Sequence, residues 1–178
     1  MKNQIRAITE TAMLVALGAV LQIISETVPI MQMPQGGSIS LALLPVLAIG
    51  FRRGFKYGLL GGTVFGIITW FLDGRILHLG SIFFDYIFVG MGFAVTGLFQ
   101  TKKKNVLFFL LAIFLGGLSK FLFHTLSGIL FFAEYAPVGE SVIWYSVVYN
   151  FGYCAVSTFL AMVFGFALKE VITDLYLQ

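Results

Sequence analysis

The chain has 178 residues, of which 59% are hydrophobic and only 11% are charged. A soluble domain carries about 25% charged residues, so this composition indicates a protein that folds in lipid. The net charge of +3 comes from basic residues in short connections between apolar runs, a pattern that encodes membrane orientation and argues against a nucleic-acid-binding surface.

Apolar runs separated by polar residues, Gly and Pro predict an all-α fold, a single domain over residues 1–178 that forms an integral membrane bundle of six transmembrane helices. We place the helices at 9–28, 40–51, 54–72, 79–100, 105–133 and 141–169. The second run is short for a full crossing and contains Pro45, so we expect it to be broken or tilted.

Small residues recur at helical spacing in the first and third helices. Ala12 and Ala16 make a smooth strip that would suit docking of another membrane protein, or internal packing. Gly58, Gly62 and Gly66 let the third helix approach a neighbour closely, and we interpret them as packing residues.

Lysine and arginine are distributed unequally between the two sides of the predicted bundle. One side has only Arg75, and the other collects Lys2, Arg6, Arg52, Arg53, Lys56, Lys102, Lys103, Lys104 and Lys169. Because cytoplasmic loops carry the excess of basic residues, both termini are predicted to be cytoplasmic in a multi-pass protein of the cell membrane. The loop ahead of the second helix, with Gln35, Gly36, Gly37 and Ser38, is predicted to be a lid or a simple connector.

Polar residues on three helices fall at one depth. Asp85, His124, Tyr145 and Asn150 lie about 6 to 14 Å inward from the outer ends of the fourth, fifth and sixth helices. Ionisable groups inside transmembrane helices are costly, so this level predicts a binding pocket near the outer face. In the alternative interpretation, Lys120 neutralises Asp85 and His124 is a hydrogen-bonded core imidazole.

The fifth helix places Lys120, His124, Gly128 and Phe132 on one stripe, with Gly128 leaving room for a ligand. A carboxylate, aromatic rings and an amide together suit a flat, cationic heteroaromatic ligand. The sequence has no nucleotide-binding phosphate loop, nucleophile motif or metal-binding motif, which predicts a binding protein and not an enzyme, without cofactor or metal.

The chain resembles the thiamine-specific substrate-binding subunits of energy-coupling-factor transporters over nearly its whole length. The matching motifs are Met33-Pro34-Gln35-Gly36-Gly37-Ser38, Asp85-Tyr86, His124 with Ser127-Gly128, Ala136-Pro137, and Tyr145-Ser146 followed by Tyr149-Asn150. The sequence departs from the family pattern in having Asp85 where some members have Glu, and Phe132 where some have Trp. Their lid-loop Trp has no aligned counterpart, for which Trp70 or Trp144 is a candidate.

The resemblance implies that six helices enclose thiamine near the outer surface. It implies that Asp85 is the acidic residue that faces the thiazolium ring, and that His124, Tyr145 and Asn150 bind the ligand. Tyr86 and Gly128 match further pocket positions. It also implies that the transmembrane coupling subunit docks on the AxxxA motif, which is formed by Ala12 and Ala16. The implied partners are that subunit and two ATP-binding subunits.

Two alternative functions remain open at this point. A binding subunit of the same class for another vitamin, such as riboflavin or biotin, would leave Asp85 unexplained. An autonomous proton-coupled carrier would use Asp85, Lys120 and His124 as a proton relay.

Overall fold

The computed structural model describes residues 2–73 and 78–174, which form a bundle of helices. The helices are α1 Lys2–Thr27, α2 Leu43–Arg53, α3 Phe55–Asp73, α4 Leu79–Lys102, α5 Val106–Phe131, α6 Val142–Ala167 and α7 Lys169–Thr173. The all-α prediction is confirmed. We call the end of the bundle at which α1, α3 and α5 finish the pocket end, and the opposite end the basic end.

Five of the described helices, α1, α3, α4, α5 and α6, are long and apolar enough to cross a membrane. Helix α2 has only 11 residues, or about 16 Å at 1.5 Å per residue, which is about half of the hydrocarbon thickness. Ten of these residues are buried, so α2 forms the centre of the bundle and the long helices surround it. Arg75, on which the predicted charge asymmetry partly rests, lies outside the described residues.

The non-helical chain just ahead of α2 is buried among its neighbours. The backbone N–H of Ser40 donates to Ser157 Oγ at 2.9 Å, and that of Leu41 donates to Ser25 Oγ at 3.0 Å. Both accepting serines are fully buried, on α6 and α1. Irregular backbone inside a membrane protein is tolerated where neighbouring side chains satisfy its polar groups, which explains how so short a central helix is accommodated.

The glycines of α3 allow close contact with α4, as their spacing predicts. A side chain at Gly62 would overlap the carbonyl oxygen of Gly90, and one at Gly66 would overlap that of Tyr86. The interpretation of this stripe as a packing surface is confirmed.

The observed helices differ from the predicted ones where an apolar run is a poor guide. Helix α1 begins at Lys2, seven residues early, because its polar first turns extend beyond the apolar run. The last run ends at Ala167, and a separate short helix follows it. Helix α4 is irregular, with π-helical turns over Phe83–Phe88 and 3₁₀ geometry over Phe93–Lys102.

A cluster of charged residues joins four helices at the basic end. The Glu10 carboxylate on α1 accepts from the guanidinium groups of Arg52 and Arg53. Arg52 Nη1 also donates to the Val171 carbonyl of α7 at 2.7 Å, and Lys103 Nζ donates to a carbonyl in the last turn of α2 at 3.1 Å. Burial lowers the pKa of Lys103, and the charges of Arg52 and Arg53 lower it further. These contacts fix α2 against α1, α4 and α7.

Candidate functional site

A cavity of about 480 Å³ opens at the pocket end, between α1, α3, α4, α5, α6 and the loop that precedes α2. All eight residues predicted to bind a ligand line it, namely Asp85, Tyr86, Lys120, His124, Gly128, Phe132, Tyr145 and Asn150. The four predicted lid residues, Gln35, Gly36, Gly37 and Ser38, line it as well. The structure thus brings the predicted residues together, while their part in binding stays a prediction.

Asp85 stands in the cavity wall with both carboxylate oxygens partnered. Oδ1 lies 3.0 Å from His124 Nδ1, and Oδ2 accepts from Ser127 Oγ at 2.8 Å. The residue belongs to the π-helical turns Phe83–Phe88, a local widening that is frequent at functional sites. Two donors from α5 therefore fix a carboxylate that has lost most of its contact with solvent.

Gly128 lines the cavity and also lies at the contact between two helices. A Cβ at this position would lie 2.9 Å from Ser146 Oγ and 3.5 Å from Asn150 Nδ2, both on α6. The missing side chain thus lets α5 and α6 pack closely beside the cavity. Asn150 is held by its own helix, since its Nδ2 donates to the Ser146 carbonyl at 2.8 Å and its Oδ1 accepts from the Tyr153 hydroxyl.

Lys120 does not neutralise Asp85, so that part of the alternative interpretation is wrong, whereas His124 is a hydrogen-bonded imidazole as the alternative stated. Asp85 has His124 and Ser127 as its partners, and within residues 2–73 and 78–174 Lys120 forms no ion pair. Its Nζ lies 5.5 Å from the centre of the Tyr153 ring, and the residue is 7% exposed. Lys120 thus lies in the cavity wall with its amino group over an aromatic face.

Two further carboxylates line the cavity. Glu26 is near the end of α1 and Asp73 ends α3. The Tyr86 hydroxyl donates to Asp73 Oδ2, which fixes the phenol ring in the wall. Together with Asp85 these groups give the cavity an acidic side.

The loop over the cavity is attached to α6 through tyrosine hydroxyl groups. Tyr145 donates to Gln35 Oε1, while Tyr149 accepts from the Gln35 backbone N–H and donates to the Gly36 carbonyl. Positive φ angles of 103° at Gly36 and 88° at Gly37 turn the chain there, a conformation that favours glycine. The loop is therefore a folded cover with specific contacts.

Phe132, and neither of the two tryptophans, contributes an aromatic ring to the lining of the cavity. Its ring centre lies 6.0 Å from that of Tyr135, and both residues line the cavity. Trp70 instead packs on Phe71 at 4.6 Å, and Trp144 is 65% exposed. Neither tryptophan belongs to the cavity lining, so neither is the candidate counterpart of the lid-loop Trp.

Sequence reasoning also missed Gln22 and Tyr153, and it named Ser127 only as a motif residue, without its contact to Asp85. Ser127 follows His124 by three positions and therefore shares a face of α5 with it, which is the signal that could have found it. Gln22 and Glu26 are four apart near the end of α1 and lie on one face in the same way. Tyr153 follows Asn150 by three positions.

This fold and this site define a multi-pass helical membrane protein with a polar cavity, lined by three carboxylates, at one end of its helix bundle. The chain belongs to the thiamine transporter protein family (Thia_YuaJ), whose model matches residues 8–177. It is thus a transporter of the cell membrane and not an enzyme, and the resemblance found in the sequence is confirmed.

Curated relatives span nearly the same length. The thiamine transporter ThiT of Bacillus subtilis (strain 168) is 32% identical over 162 residues, covering 85% of this chain and 83% of the relative. The thiamine transporter ThiT of Lacticaseibacillus paracasei is 27% identical over 190 residues, covering 98% and 92%. A solved structure of ThiT from Listeria monocytogenes matches with a TM-score of 0.82 over 98% of both chains at 24% identity, which supports the fold.

Proposed function

We propose that this chain captures thiamine from outside the cell in the cavity at the pocket end and presents it for ATP-driven uptake by partner subunits. The observation that carries the proposal is the Asp85 carboxylate, held by His124 and Ser127 in the wall of a polar cavity. The names of the relatives supply the ligand, since both are described as thiamine transporters.

The size of the cavity suits a vitamin. Small-molecule sites have volumes of about 300 to 1,000 Å³, and the cavity here measures about 480 Å³. That volume accommodates the two linked rings of thiamine and is closed on one side by the loop that carries Gln35 and Gly36.

The charge of the cavity supports a cationic ligand. Thiamine carries a permanent positive charge on its thiazolium ring, and Asp85, Asp73 and Glu26 make one side of the cavity acidic. In a site shielded from water, an opposite charge is far more effective than at an exposed surface. We assign the thiazolium to the vicinity of Asp85.

The remaining residues would orient the neutral aminopyrimidine ring. Asn150 and Tyr145 present an amide and a hydroxyl group, while Lys120 supplies an ammonium donor for a ring nitrogen. We assign His124, Tyr86 and Phe132 to ring contacts on either side of the ligand. Gly128 keeps the wall between α5 and α6 flat.

A neutral isostere of thiamine tests the role of charge. Replacing the quaternary nitrogen by carbon keeps the shape of the ligand and removes its charge, so we expect the isostere to bind at least about 30-fold more weakly, because loss of one partner of a buried charge pair costs about 2 kcal/mol or more. Competition against labelled thiamine on the purified chain measures this ratio. Equal affinities would contradict charge recognition by Asp85.

Energy for uptake would come from other subunits. The sequence lacks the phosphate-binding loop of nucleotide-hydrolysing enzymes, so the chain cannot itself use ATP. Ala12 and Ala16 are both exposed on α1, on the outside of the bundle, where they form a smooth surface. We assign this surface to a transmembrane coupling subunit of an energy-coupling-factor transporter that also contains two ATP-binding subunits.

The proposed topology has six crossings with both termini in the cytoplasm. Five are the long helices, and the sixth consists of α2 with the buried chain ahead of it. The basic end, which holds Arg52, Arg53 and Lys103, would face the cytoplasm, and the pocket end would face outward.

A further inference from the structure

The loop between α1 and α2 has a firmly held base. The base comprises Ser38, Ser40 and Leu41, of which both serines are buried. On α1, Gln22 Nε2 donates to Ser38 Oγ at 3.1 Å and Gln22 Oε1 accepts from Ser40 Oγ at 2.6 Å. Together with the serine contacts to α1 and α6 described above, these bonds fix the base to two helices.

The tip of the loop, residues 33–37, is a compact turn of its own. The Met33 N–H donates to the Gly37 carbonyl at 3.0 Å, and the Gly36 N–H donates to the Met33 carbonyl at 3.2 Å. Gln35 at the tip is exposed, unlike the serines of the base. Because its internal bonds do not depend on the helices, the tip can move as a unit relative to the base.

One hydroxyl group joins this tip to α6 through two backbone bonds. Tyr149 Oη accepts from the Gln35 N–H at 2.9 Å and donates to the Gly36 carbonyl at 3.0 Å. The Tyr149 ring is itself supported on both sides, with ring centres of Tyr145 and Tyr153 at 5.9 and 6.2 Å. Helix α6 thus holds the hydroxyl group in place. Its two hydrogen bonds are to the main chain of the tip, so they do not depend on the side chains there.

We propose that Tyr149 is the latch of this lid: a positioning residue that keeps the tip over the cavity and so sets how long the ligand stays. The proposal rests on the proposed function, because the ligand whose residence it controls is thiamine. Opening then requires the release of the two bonds to Tyr149 and of the single side-chain bond from Tyr145 to Gln35. Gln22 and Ser25 on α1 and Ser157 on α6 retain the base, so only the tip separates from α6.

Tyr149→Phe tests the latch because it removes only the hydroxyl and keeps the ring. Losing two hydrogen bonds that hold the closed lid should raise the rate of thiamine dissociation about tenfold. Association should be unchanged or faster, because an open lid admits ligand more readily. Stopped-flow binding measures both rates, with Tyr57→Phe at the basic end of α3 as the matched control that should leave them unchanged.

A second measurement follows the lid itself, without ligand. Spin labels on Pro34→Cys at the exposed tip and Val138→Cys in the exposed α5–α6 connection report the distance across the cavity mouth. The native Cys154 is 2% exposed and therefore does not compete for label. We expect one narrow distance distribution in the parent chain and a broad one after Tyr149→Phe.

The two measurements together decide the proposal. A broadened distribution with faster dissociation supports the latch. An unchanged distribution overturns it, whether dissociation stays slow or accelerates, because acceleration alone would mean that the Tyr149 hydroxyl contacts the ligand and not the lid. If the parent chain fails to bind thiamine, the proposed function fails, while the label distances still decide whether Tyr149 holds the tip.

Discussion

Asp85 is the side chain on which the proposed recognition of thiamine depends most. A carboxylate inside a membrane-spanning helix persists only when donors or an opposite charge compensate for lost water. Here His124 and Ser127 each contact one oxygen. Those bonds fix the direction of the carboxylate, so in the proposed function a cationic ligand would meet a preorganised negative charge.

Asp85→Asn removes the charge and keeps the shape of the side chain. We expect thiamine affinity to fall by at least about 30-fold, because removing one partner of a buried, hydrogen-bonded charge pair costs about 2 to 5 kcal/mol. Titration of the purified variant followed by heat or tryptophan fluorescence measures the loss.

Glu140→Gln is the matched control, since Glu140 is an exposed acid in the connection between α5 and α6. It should bind as the parent chain does. An Asp85→Asn variant with unchanged affinity, folded as judged by its melting temperature, would show that the carboxylate is not the counter-charge.

For individual residues, the sequence predicted which side chains lie close together but not which hydrogen bonds they form. Depth along each helix brought Asp85, His124 and Asn150 to one level, because rise per residue is fixed in any helix. The pairing of Asp85 with Lys120, which the sequence offered as an alternative, is wrong. Lys120 and His124 share one face of α5, and only three-dimensional placement distinguishes them. The Ser127 contact depends on the π-helical turns of α4, for which the apolar run gives no signal.

Among the contacts between helices, the sequence predicted the close packing that the structure shows between α3 and α4. Glycines four apart mark it, because lipid offers no hydrophobic drive between helices and packing must supply the attraction. At Gly62 and Gly90 the two backbones meet directly. This contact holds the part of α4 that carries Asp85 and Tyr86 against α3.

Gly62→Ala is expected to destabilise the bundle. Its methyl group would overlap the Gly90 carbonyl, and overpacking costs about 1 to 3 kcal/mol. At about 2 to 4 °C per kcal/mol for a chain of this size, the melting temperature in detergent should fall by about 2 to 12 °C.

Gly152→Ala provides the opposite case on α6, because nothing lies within 4 Å of the added Cβ. Alanine favours a helix over glycine by about 0.5 to 1 kcal/mol, so this variant should melt at the same temperature or slightly higher. Equal melting of both variants would contradict the packing assigned to α3 and α4.

Element boundaries show the limit of apolar runs as a guide. The run at 40–51 predicted the second helix, yet the observed α2 spans Leu43–Arg53. Its first predicted residues, Ser40 and Leu41, instead bond to serines of α6 and α1. Such contacts join distant parts of the chain, so no local pattern reveals them. The expected break at Pro45 is not observed, since α2 continues through this residue, which lies in its first turn.

In the whole molecule, the proposed capture site and the proposed docking surface lie on different parts of the bundle. The cavity lies at the pocket end, while Ala12 and Ala16 lie on the exposed face of α1. Two functions on different surfaces can be impaired separately, which makes the assignment of the docking surface testable without reference to the ligand site.

Replacing both Ala12 and Ala16 by leucine should leave thiamine binding intact and abolish uptake by cells that supply the partner subunits. Bulky side chains on a smooth helix face prevent close approach of another helix. Ala167→Leu, at the exposed end of α6, is the control and should retain both binding and uptake. Normal uptake by the double variant would show that docking uses another surface.

The central claim is that this chain by itself binds thiamine, and titration of the purified, ligand-stripped protein in detergent tests it most directly. Riboflavin and biotin serve as controls because neither carries the permanent cation that Asp85 would recognise. The account predicts saturable, stoichiometric binding of thiamine and no response to either control. Saturation by riboflavin or biotin with no response to thiamine would contradict it.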